Sequence, residues 1–79
     1  MTLDLSRMTD QELLRMIAER CSEFGSVVSV RILHSDRAST YHFAVVRMST
    51  PAESSALFME MGTSNDGDSV VIRLEQRFA

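Results

Sequence analysis

The apolar residues of this chain switch repeatedly between two spacings. Thr2 to Ser6 alternates polar and apolar positions, with Leu3 and Leu5 on one side, and predicts a short half-buried strand. Leu13, Ile17, Cys21 and Phe24 then recur at near-helical spacing, with Leu14 and Ala18 on the same broad stripe. Thr9 and Glu12 form a capping box ahead of that stripe, and Gly25 supplies a stop, so a helix is predicted from Asp10 to about Glu23. Val27 to His34 is rich in β-branched residues and predicts a second strand, and Thr40 to Met48 a third. Thr50, Pro51 and Glu53 repeat the helix-start signal, for a second helix running to about Met61 and ending at Gly62. Val70 to Arg77 alternates again as a fourth strand; residues 35–39 and 63–68 have the composition of connectors.

The predicted order is βαββαβ, the split βαβ arrangement of an α+β, ferredoxin-like domain: a four-stranded antiparallel sheet with two helices on one face. A sheet covered on one face buries alternate residues of each strand. Leu3, Leu5, Val30, Ile32, Ala44, Val46, Val70, Ile72 and Leu74 form the expected buried set. The opposite parity predicts an open face carrying Asp4, Ser29, Arg31, Leu33, Tyr41, Phe43, Val45, Arg47, Val71, Arg73 and Glu75.

The second helix offers two apolar sides. Ala52, Ser55, Ala56 and Met59 share one, while Leu57, Phe58 and Met61 share roughly the other. If the alanine side packs on the sheet, the bulky trio is exposed, and Leu57, Phe58 and Met61 become a patch for a protein partner or a homodimer. If the helix is rotated, the trio is core.

Composition narrows the functional classes. With 79 residues, one domain spanning 1–79 is expected, its core only just large enough to fold without staples. The single cysteine, Cys21, excludes an internal disulfide and reads as a small core hydrophobe. No apolar run approaches the ~20 residues of a membrane span, and no basic-then-apolar leader opens the chain, so a soluble, reducing, cytoplasmic setting is expected. The net charge is −3, and all eight basic residues are arginine. Such acidity disfavours indiscriminate binding to polyanions but permits a local positive face.

Phe24-Gly25 leading into Val27–Ile32, followed by Tyr41-His42-Phe43-Ala44-Val45-Val46-Arg47-Met48, resembles the RNA recognition motif (RRM) family. Phe43, Ala44 and Val46 match the eight-residue RNP1 pattern, and Leu3, Leu5 and Met8 fit the apolar positions of RNP2. The resemblance runs through the whole chain in the right order. It implies single-stranded RNA binding on the open sheet face, by base stacking on aromatic rings and arginine contacts to phosphate. The implied site is Tyr41, Phe43, Arg31, Arg47, Arg73, Val45 and Leu33. Two departures weaken the implied binding: Val45 replaces the second RNP1 aromatic, and Asp4 stands where RNP2 would offer a ring.

Each of these residues also has a structural reading. Aromatics such as Tyr41 and Phe43 are favoured on strands in any case. The three arginines suit cross-strand pairing with Asp4 and Glu75. His34 and His42 lie on different strands with no neighbouring cysteine, and Asp66-Gly67-Asp68 lacks the remaining ligands of a calcium loop, so no metal site is expected. With no glycine-rich phosphate loop, nucleophile elbow or convergent carboxylate pair, neither an enzyme nor a cofactor is expected.

Overall fold

The computed structural model describes residues 2–33 and 41–76, without the side chains of Thr2, Ser6, Tyr41 and Gln76. Along them run β1 (Thr2–Leu3), α1 (Asp10–Cys21), β2 (Val27–Leu33), β3 (Tyr41–Met48), α2 (Pro51–Met61), β4 (Ser64–Asp66) and β5 (Ser69–Gln76). His34 and the 35–39 connector lie outside the described residues.

Both helices begin as their caps predict. Thr9 Oγ1 accepts the Glu12 N–H at 3.2 Å, and Thr50 Oγ1 accepts the Glu53 N–H at 3.2 Å. The α-helical part of α1 is shorter than expected, because the chain tightens into a 3-10 turn over Ser22–Phe24 before Gly25. Such a turn satisfies helix-end carbonyls that have no α-helical partner.

The body of the sheet is antiparallel, in the order β2, β3, β5, β4. Two features differ from the expected βαββαβ order. Residues 64–66, expected as connector, form β4, which pairs Ser64 with Val71 and Asp66 with Ser69. The sheet is also not wholly antiparallel: β1 lies parallel to β5, with Thr2 opposite Glu75 and Leu3 opposite Gln76. β1 ends early as well. Leu5–Arg7 is a 3-10 turn closed by the Arg7 N–H donating to the Asp4 carbonyl at 3.3 Å. Leu5 and Met8, three residues apart, both pack against the core, as the three-residue period of that turn allows.

One core lies between the sheet and both helices. Ala44 and Val46 of β3 face Ile72 and Val70 of β5, and all four are fully buried with Met48 and Leu74. Leu13, Ile17 and Cys21 of α1 join them from above, and Val30 and Ile32 pack at the side. Burial pushes the Cys21 thiol up to about 11, against a smaller opposing pull from Arg20, so it stays protonated and acts as a core hydrophobe.

The bulky side of α2 is its core side. Leu57 is fully buried, and Phe58 and Met61 pack against the core, whereas Ala52, Ser55 and Ala56 face out and Met59 is 79% exposed. The expected exposed patch of Leu57, Phe58 and Met61 is therefore absent. Three large side chains bury more apolar area than two alanines and a methionine can. β4 also removes the polar obstacle to this rotation, since the buried Ser54 hydroxyl donates to Asn65 Oδ1 at 2.9 Å.

Glu53 ties the start of α2 to the end of the α1 turn. Its carboxylate accepts the Ser49 hydroxyl and the backbone N–H groups of Ser26 and Thr50. The Ser49 bond, helped by the Ser26 and Thr50 contacts and opposed by desolvation, holds this carboxyl below its ordinary value of 4.5. A depressed carboxyl stabilises the fold fully above its unfolded value and loses that contribution as pH falls through the folded one. Glu53→Gln is therefore expected to lower stability near neutral pH, with the gap to the parent narrowing as acid protonates Glu53. Urea denaturation across an acidic pH series checks this; a gap independent of pH would contradict it.

Candidate nucleic-acid interface

Strand alternation leaves the sheet face opposite the helices without a covering element among the described residues. Pairing across β2, β3 and β5 arranges that face in rows. Leu33, Phe43 and Arg73 stand side by side in one row, and Arg31, Val45 and Val71 in the next. Ser29, Arg47 and Ser69 make a third row toward the β4–β5 turn. Phe43 is 39% exposed and Leu33 42%, while Val45 and Val71 are half-buried in the adjacent row. The result is a small apolar platform with one ring and an arginine on either side.

Six of the seven expected site residues thus share one face. Tyr41 holds the register position opposite Glu75, at the end of the Phe43 side, and its side chain lies outside the described residues. Asp4 is not on this face. It sits in the turn after β1, with its Oδ2 3.6 Å from Arg7 Nε, because the RNP2-like segment leaves the sheet at Leu3. The carboxylate expected to repel phosphate from the platform is therefore elsewhere.

Two arginines of the face are engaged by the chain's own carboxylates. Arg47 Nε donates to Asp68 Oδ2 at 3.1 Å, and Arg73 Nε lies 3.6 Å from Glu75 Oε1. Both pairs are partly open to solvent, where such contacts are worth about 0–1 kcal/mol. Arg31 is exposed and has no described carboxylate in pairing range. Asp68 was not among the residues expected at the site. Its sequence signal is the Asp66-Gly67-Asp68 run, a hairpin signature in which Gly67, at φ +62°, opens a two-residue turn.

Other candidate chemistry is not assembled. His42 is half-buried on the core-facing parity opposite Leu74. Among the described residues no group of three His, Cys, Asp or Glu side chains is placed to hold a metal, and no helix is long and apolar enough to cross a membrane. A groove of about 820 Å³ lies away from the platform, between the N-terminal turn and α1, where Arg7 pairs with Asp4 and Arg15 with Glu19. Comparisons with family profiles, with curated proteins and with solved structures return no match.

Proposed function

We propose that this chain is a non-catalytic module that binds single-stranded RNA, weakly and with little sequence preference, on the open face of an RRM-like, ferredoxin-like sheet. The observation that carries this reading is the row Leu33–Phe43–Arg73. It sets an exposed aromatic ring between an aliphatic side chain and a guanidinium, with Arg31 in the adjacent row. A base stacks on such a ring whatever its identity, and nearby guanidiniums hold the phosphates that flank it. Val45 in place of a second ring limits the platform to Phe43 and, by register, Tyr41. A cytoplasmic location and the absence of a cofactor belong to the same proposal.

The test is a residue-by-residue NMR titration with mixed short RNA oligomers. Shifts are expected at Leu33, Phe43, Val45 and Val71, and Phe43→Ala is expected to weaken binding by about 1–3 kcal/mol through loss of one stacking surface. Unchanged affinity of Phe43→Ala, or shifts confined to the helices, would sink the RNA reading. A second reading, a protein partner or a second copy seated on the platform, is favoured by its aliphatic share: Leu33, Val45 and Val71 surround the one ring. That occupant would bind with little salt dependence, whereas RNA affinity falls steeply as salt rises.

A further inference from the structure

Resting on the sheet-face reading above, we propose that Asp68 is a positioning residue. It holds Arg47 and so confines phosphate contacts to Arg31 and Arg73, the two arginines nearer Phe43 in the register. The turn that carries Asp68 is fixed to the end of β3, because the Asp68 carbonyl accepts the Met48 N–H at 2.8 Å. The Asp68 side chain is held as well: the Ser69 hydroxyl donates to its Oδ1 at 3.5 Å, while Oδ2 takes the Arg47 bond. Asp66 ends β4 in the same hairpin, exposed, in register with Ser69. The Arg47 end of the face is therefore charge-balanced by a fixed carboxylate, with a second one beside it. A phosphate arriving there meets a guanidinium already bonded and two negative charges. In the two rows nearer Phe43, Arg31 pairs with no described carboxylate and Arg73 stands directly beside the ring. The asymmetry sets where a strand crosses the sheet, over Phe43 rather than over the hairpin.

The experiment measures affinity for a mixed-sequence RNA oligomer against salt for the parent, Arg47→Ala, Asp68→Asn, the double variant and Asp68→Glu, with thermal melts confirming that each folds. Arg47→Ala alone is expected to weaken binding slightly, by leaving the Asp68 carboxylate unbalanced on the face, and to keep the parent's salt slope because no phosphate contact is lost. Asp68→Asn is expected to bind about five-fold tighter at low salt and to steepen the logarithmic salt slope by about 0.7, the value of one added contact to a single strand. The double variant should return to the parent slope, and Asp68→Glu, which keeps the carboxylate, should stay there. A flatter slope for Arg47→Ala alone shows Arg47 already on phosphate and overturns the inference, as does an unchanged Asp68→Asn. In either case RNA-induced shifts at Phe43 leave the sheet-face reading standing. If no variant shows RNA-dependent shifts on the sheet, both fall.

Discussion

Leu57→Ala is expected to cost about 2–5 kcal/mol, the range for truncating a fully buried leucine and leaving a cavity. Leu57 is the largest side chain that α2 places wholly inside, beneath β3 and β5. Ser54, the other fully buried residue of α2, brings little apolar surface. A domain of this kind holds roughly 0.05–0.15 kcal/mol of stability per residue, so the loss removes a large share of the total. Met59→Ala, on the outward side of the same helix, is expected to stay within about 0.5 kcal/mol of the parent. Urea denaturation of both variants checks the rotation of α2 directly. If Met59→Ala proves the costly change and Leu57→Ala the silent one, the helix is turned the other way and the bulky trio is available to a partner after all.

Gly25→Ala is expected to destabilise by about 1–3 kcal/mol from backbone conformation alone, because φ +148° with ψ −163° is a region that glycine occupies almost exclusively. A second cost comes from contact. A Cβ at this position would collide with Glu53 Cγ and Cδ, so the carboxylate has to swing away and release Ser26 and Ser49. The two costs separate in a cycle with Glu53→Ala. Once Glu53 is removed, Gly25→Ala should cost only the backbone share, and the two single changes should sum to more than the double. Strict additivity would mean that the approach of Glu53 to Gly25 carries no energy.

What could be read from sequence followed the range of each interaction. Thr9 and Thr50 announce their helices because a cap is settled within four residues. The two sheet faces were legible because Ala44, Val46, Val70, Ile72 and Leu74 alternate with Phe43, Val45, Arg47, Val71 and Arg73, and a strand has only two sides. β4 was hidden, since Ser64, Asn65 and Asp66 are all exposed and show no alternation. The direction of β1 was hidden too, because its partner lies at the far end of the chain, and Leu3 and Leu5 suit a strand as well as they suit a strand that ends in a turn. For α2 the spacing allowed both rotations, and bulk together with the Ser54–Asn65 bond decided between them. At the site, parity placed Leu33, Phe43 and the arginines. The Arg47–Asp68 pair spans 21 residues and required the hairpin, which parity does not describe.

β5, the last described element, lies inside the sheet with β3 on one edge and β1 and β4 on the other. Among the described residues, nearly half of the sheet's buried side chains therefore arrive with Val70, Ile72 and Leu74, after the other described elements have been made. On a ribosome, a nascent chain stopped short of β5 can form α1 and the β2–β3 hairpin, yet it leaves the second edge of β3 unpaired and Ala44, Val46 and Met48 incompletely covered. Assembly of the core is thus tied to completion of β5, and pairings distant in sequence form slowly because loop closure precedes their reward. During that interval the exposed edge of β3 is the part of the molecule that a chaperone or a second nascent chain would meet first.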